Sequence, residues 1–232
     1  AVRKSCTSPR LNTKLINFMS YPAAPWTLHG ESFLTLHPID IAKAKPYIPR
    51  EVDVFSIFPG KTLGVIYLAS YKTGSVLEYN ELIVAIAVNY QGNLGGWVSH
   101  IYVDNPDSMA GGREIWGLPK ELAEFSWQRG DRTSITVRHD QQPLLTFSYD
   151  RPFSLWQKQF LAPSFSVLGT HIVQFEGQVD ARLGWLNAQV EVSATSPIAP
   201  LDLGHPWLGI ALEPMTLVVS APKFLGKRGA ID

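Results

Sequence analysis

From Trp26 onward, short runs of β-branched and aromatic residues alternate with Gly, Pro, Asn and Asp, the pattern of antiparallel strands joined by tight turns. Ser32 to His37 reads as one strand. Leu63 to Tyr71 and Leu82 to Tyr90 are too continuously apolar to face water on one side, so they are expected to line a closed barrel or a two-sheet core. Val98 to Val103 follows as a further strand, and Gly92-Asn93-Leu94-Gly95-Gly96 reads as the hairpin before it. Asp104-Asn105-Pro106-Asp107 then breaks the pattern with turn chemistry.

Two stretches look helical. Ile39 to Ala44 begins after Pro38, carries Asp40 in its first turn and is ended by Pro46 and Pro49. Ser108 to Ile115 has helical spacing up to Gly117, and Pro119 is placed to open a second helical turn at Lys120. Strands resume at Phe125 to Gln128, Ser134 to Arg138, Leu144 to Tyr149, His171 to Val179, Trp185 to Val192 and Met215 to Ser220. No linker and no internal period divides them. The expectation is a mainly β (α+β) fold, an antiparallel barrel closed or nearly closed, with a few short helices: a flexible tail over residues 1–20 and a single domain over 21–232.

Composition narrows the function classes. The chain has 232 residues, 45% of them hydrophobic and 17% charged, enough apolar area for a sizeable core. Twenty basic and twenty acidic side chains cancel, which argues against nucleic acid as a partner and favours association into a homo-oligomer. No run reaches the roughly 20 apolar residues of a membrane-spanning helix. The single Cys6 and six scattered histidines show no metal-binding spacing and fit a reducing, cytoplasmic setting. The first 30 residues contain Arg3, Lys4, Arg10 and Lys14 and no acid, so a plastid stroma fits if they are the remnant of a transit peptide.

Chemistry concentrates between Gly111 and Ala123. Lys120 lies between Leu118 and Leu122 and close to Trp116, so its amine has apolar neighbours; burial there disfavours the ammonium and supplies the neutral amine that a Schiff base needs. The alternative is a surface lysine snorkelling over those neighbours. Glu81 opens the run Leu82 to Val88, where a carboxylate can orient a substrate or move a proton, or else stand as an exposed turn acid. Arg113 and Glu114 are adjacent on the expected helix and cannot face each other, so each pairs elsewhere. His100 reads as a structural histidine and the seven tryptophans as core and interface residues.

The stretch from Trp26 to Phe125 resembles the acetoacetate decarboxylase family through Tyr79-Asn80-Glu81, His100-Ile101-Tyr102-Val103-Asp104-Asn105, Gly112-Arg113-Glu114 and Pro119-Lys120. The resemblance implies a cone-like β-barrel, frequent oligomerisation, no cofactor, and a buried lysine that condenses with the ketone of a keto acid. The resulting iminium accepts the electrons released as carbon dioxide leaves. Lys120 stands at the Schiff-base position and Glu81 at that of the pocket glutamate; Arg113, Trp116 and Tyr79 are the candidate substrate-binding residues.

There are departures. Family decarboxylases follow the reactive lysine with a second lysine, and they are the standard example of an amine activated beside another cation; here Glu121 follows Lys120. The family's arginine near His29-Gly30-Glu31 and its further glutamate in the strand Leu63 to Tyr71 are also missing. Pro25-Trp26, Ile48-Pro49-Arg50-Glu51, Thr62-Leu63-Gly64, Leu68-Ala69-Ser70-Tyr71 and Gly117-Leu118-Pro119 are similar to plant neoxanthin-deficient proteins, a branch of the same superfamily whose members generally lack the lysine. The expected function is thus a Schiff-base enzyme acting on a small keto acid or related carbonyl compound, by decarboxylation, aldol chemistry or dehydration. The alternative is a non-catalytic binder or accessory factor for an apolar ligand such as a carotenoid.

Overall fold

The structure, a computed structural model, describes residues 21–227, so the expected tail and Cys6 lie outside the described residues. The chain runs through β1 (Trp26–Asp40), α1 (Ile41–Ala44), a 3-10 turn (Lys45–Tyr47), β2 (Asp53–Val54), β3 (Lys61–Tyr71), β4 (Tyr79–Tyr90) and β5 (Asn93–Val103). Next come α2 (Pro106–Trp116), β6 (Lys120–Leu122), β7 (Glu124–Gln128), β8 (Arg132–His139), β9 (Gln142–Asp150) and β10 (Phe153–Leu168). It ends with β11 (His171–Trp185), β12 (Ala188–Val192), a second 3-10 turn (Ala199–Leu201), β13 (Leu208–Val219) and β14 (Lys223–Lys227).

Strands β4, β3, β1, β13, β11, β10 and β5 pair in that order, and β5 returns to β4, which closes a barrel. Its weakest seam is between β10 and β5, a parallel pairing of Ser164 with Gly96 and Phe165 with Trp97. A second antiparallel sheet, ordered β12-β9-β8-β7, covers part of the barrel's outer wall. The two doubly apolar runs are explained by this arrangement. Along β3 and β4, Val65, Tyr67, Tyr71, Tyr79, Glu81 and Ile83 face the interior, while Ile66, Leu68, Leu82, Val84 and Ile86 join Ile135, Val137 and Phe147 of the second sheet in one core. Phe33 of β1 stacks on Tyr149 of β9 with ring centroids 4.3 Å apart. Each such buried side chain contributes roughly 1.5–3 kcal/mol.

Local expectations need several corrections. The turn opened by Pro119 is not helical: Lys120 starts a strand that pairs in parallel with Ile101 of β5. Gly117 causes this. It takes the left-handed conformation at φ 65°, donates its N–H to the Arg113 carbonyl and ends α2, and the chain leaves extended. A Cβ at this position would also collide with the Val167 carbonyl. The run Trp185 to Val192 is two strands interrupted at Leu186 and Asn187, and the first helix begins at Ile41 because Ile39 and Asp40 still pair in β1. β10 is a strand the pattern does not announce. Among the described residues no helix is long and apolar enough to cross a membrane.

Candidate active site

A cavity of about 250 Å³ occupies the barrel interior. Its walls are inward residues of all seven barrel strands, among them Leu28, Leu34, Tyr67, Ile83, Phe175, Val179 and Leu212, with Trp26 and Trp116 on one side. Lys120 enters from β6. Its side chain is 3% exposed, and Nζ lies 2.8 Å from Glu81 Oε1 and 3.0 Å from Ser108 Oγ. The same amine sits 5.0 Å from the centre of the Tyr79 ring and 5.8 Å from that of Trp26. A buried ammonium without a counter-charge would be costly, and Glu81, itself 6% exposed, supplies one.

A phenol chain completes the pair. Tyr71 donates its hydroxyl to Glu81 Oε2 at 3.1 Å, and the Tyr67 hydroxyl lies 3.2 Å from that of Tyr71. Burial, with the Glu81 charge adding to it, pushes Tyr71 and Tyr79 well above the usual phenol range, and burial pushes Tyr67 up to about 12. The three rings therefore stay protonated and uncharged at neutral pH. The only opposite charges lining the cavity among the described residues are Lys120 and Glu81.

The sequence motifs now have physical roles. Asn80 binds Asp104 twice, backbone N–H to Oδ1 at 2.7 Å and Nδ2 to Oδ2 at 2.6 Å, which ties the start of β4 to the end of β5 and fixes Glu81. Asn105 caps α2 by accepting from the N–H groups of Asp107 and Ser108. That cap orients the first turn so that Ser108, fully buried, meets the lysine. Gly111 and Gly112 let the helix approach: a Cβ on Gly111 would come within 2.6 Å of the Trp26 ring, and one on Gly112 within 2.5 Å of Lys120 Cε.

Of the five residues singled out in the sequence, Lys120, Glu81, Trp116 and Tyr79 meet at this cavity. Arg113 does not line it: the residue is exposed, and its Nε donates to the Lys120 carbonyl at 2.7 Å, holding β6 from outside. Glu121 turns to the opposite side of the short strand and lies 3.2 Å from His139 Nε2. Ser108 and Tyr71 were missed. The period-two series Tyr67, Tyr71 on a strand and the placement of Ser108 three residues after a helix cap were the available signals.

Fold and site together define a closed, mostly antiparallel barrel with an amine–carboxylate pair enclosed in it. The chain belongs to the acetoacetate decarboxylase family: the sequence profile described as acetoacetate decarboxylase (ADC) matches residues 13–178, well over half of the chain. The NEOXANTHIN-DEFICIENT 1 protein of Oryza sativa is 30% identical over 108 residues, covering 46% of this chain and 35% of that protein. The acetoacetate decarboxylase of Ralstonia nicotianae is 28% identical over 105 residues, covering 45% of this chain and 41% of that protein. The matched stretch thus spans well under half the length of these curated relatives.

Among solved structures, acetoacetate decarboxylase from Legionella pneumophila superposes with a TM-score of 0.71 at 19% identity, over 96% of this chain and 93% of that one. The enduracididine biosynthesis enzyme MppR complexed with pyruvate gives a TM-score of 0.69 at 12% identity, over 90% of this chain and 93% of that one. At such identities the likeness is one of fold.

Proposed function

We propose that this protein is an imine-forming enzyme in which Lys120 condenses with a small carbonyl compound. One observation carries the reading: the Lys120 amine is buried at a cavity wall with a carboxylate 2.8 Å away and a hydroxyl 3.0 Å away. Glu81 takes a proton from the ammonium, freeing the lone pair on Nζ. The amine adds to the carbonyl carbon, Glu81 returns the proton to the departing oxygen, and water leaves an iminium paired with the Glu81 carboxylate. Tyr71 holds that carboxylate by donating to Oε2 and keeps it aimed at the amine. Ser108 marks a second polar position beside Nζ, suited to the carbinolamine oxygen.

The iminium can withdraw electrons from either of two bonds. From a β-keto acid it accepts the pair of the bond to the carboxylate, carbon dioxide leaves, and the enamine is protonated and hydrolysed; this is the family's default outcome. From a ketone bearing an α-hydrogen it favours loss of that proton and carbon–carbon bond formation or dehydration. The volume of about 250 Å³ lies below the roughly 300–1,000 Å³ of pockets for drug-sized ligands, which supports a compound of a few carbons over a long polyene.

The test is reductive trapping. Borohydride added in the presence of a panel of small ketones, followed by peptide mass mapping, should place the adduct on Lys120 and none on a Lys120→Met variant. A folded protein that traps no ketone at this residue would overturn the reading, and pigment or lipid that co-purifies with both forms would favour the binder instead.

A further inference from the structure

We infer that the preferred substrate of this cavity is an uncharged carbonyl compound, and that its enamine forms by loss of an α-proton to Glu81 and not by loss of carbon dioxide. The inference rests on the imine reading above. It comes from the charge balance of the cavity wall. Among the described residues that line it, Lys120 is the one cationic side chain and Glu81 the one anionic side chain, and the remaining lining is apolar or phenolic. Once Lys120 has become an iminium, its single positive charge faces the Glu81 carboxylate. A substrate carboxylate would add a second negative charge with no further cation among the described lining residues to meet it, and a buried unpaired charge is strongly disfavoured.

Arg113, Arg129 and Lys72 are committed elsewhere. Arg113 is spent on the Lys120 carbonyl from outside the cavity. Arg129 and Lys72 hold Glu31 at 2.6 and 3.0 Å, on the face of β1 that turns away from the interior, since Leu28 and Leu34 point inward. A neutral ketone keeps the site balanced throughout. Its oxygen leaves as water when the C=N bond forms; the α-C–H bond then breaks, the proton goes to Glu81, and the electron pair becomes the enamine double bond. With an aldehyde as co-reactant, the enamine carbon bonds to the aldehyde carbon, the aldehyde oxygen takes the proton back from Glu81, and water hydrolyses the iminium to release product and amine.

The discriminating pair is acetoacetamide and acetoacetate, which match in size and in the β-dicarbonyl skeleton and differ in charge. Borohydride trapping of each by the full chain is titrated at neutral pH, with carbon dioxide release followed in parallel. The expected result is half-maximal labelling of Lys120 at a concentration at least tenfold lower for acetoacetamide, with no enzyme-dependent release of carbon dioxide. Equal or tighter trapping of acetoacetate, or its steady decarboxylation, overturns this inference while leaving the imine reading intact. Labelling by neither compound in protein with a native circular dichroism spectrum overturns the imine reading and this inference together.

Discussion

Gly112 of α2 lies against the stem of Lys120, so close that a Cβ would meet both Cδ and Cε of the lysine. The lysine stem fills the space that a side chain at position 112 would take. Gly112→Ala should favour the helix by about 1 kcal/mol of propensity yet push the lysine out of register with Glu81 and Ser108. The expected outcome is a drop of at least tenfold in the rate of reductive trapping, with a melting temperature within a few degrees of the parent. Undiminished trapping would show that the amine does not depend on this approach.

Glu121 answers the question raised by the missing second lysine. On a helix it would point about 100° from Lys120; on the strand actually formed it points to the other face, toward His139. Its half-exposed side chain is separated from the Lys120 amine by the strand itself, and the pairing with His139 is worth under about 1 kcal/mol. Glu121→Gln is therefore expected to leave trapping at Lys120 within about threefold and stability nearly unchanged. A gain of an order of magnitude would mean that the neighbouring charge acts on the amine after all.

How far the sequence reached can be judged from particular residues. The runs around Ile66 and Val84 announced two buried faces because apolar residues occupied both parities, and the structure supplies the cavity on one side and the second sheet on the other. Lys120 and Glu81 could be named but not joined: they are 39 positions apart, and their meeting depends on the parallel pairing of β6 with β5, a contact that no local pattern encodes. The proline before Lys120 read as a helix start because Pro at N1 is common; the left-handed Gly117 had already ended the helix. β10 escaped notice because its first half turns large apolar residues outward: Phe153, Trp156 and Leu161 are 70%, 55% and 60% exposed, and Gln157-Lys158-Gln159 interrupts the alternation.

The Lys120–Glu81 pair makes an energetic prediction separate from chemistry. Removing one member leaves the other buried and uncompensated, at a cost of about 3–5 kcal/mol, whereas replacing both with apolar groups of similar size is often neutral. Glu81→Leu alone should lower the urea midpoint sharply, and the double variant Glu81→Leu with Lys120→Met should recover most of that loss. Additive losses in the double variant would show that the two side chains do not function as a coupled pair.

Acid stability depends on two imidazoles, His37, which is buried, and His100, which is half-buried. His100 of β5, beside the Tyr47 ring at 5.2 Å, is pushed down to about 4 from 6.5 by burial. Burial also lowers His37, against the opposing effect of the Leu203 carbonyl it binds at 3.1 Å. Both rings are neutral when folded, while in the unfolded chain each takes up a proton near its ordinary value. Their contribution to stability is therefore intact above pH 6.5 and declines as the pH falls below it, for His100 down toward about 4, because only the unfolded state gains protons in that window. For His100 this can remove up to about 3 kcal/mol. Urea denaturation at intervals between pH 7 and 4 should show a steep decline for the parent protein and a shallower one for His100→Gln, with the two curves converging above pH 6.5 once any constant offset is removed. Parallel curves through the whole range would mean that His100 is already hydrated enough to be protonated in the native state.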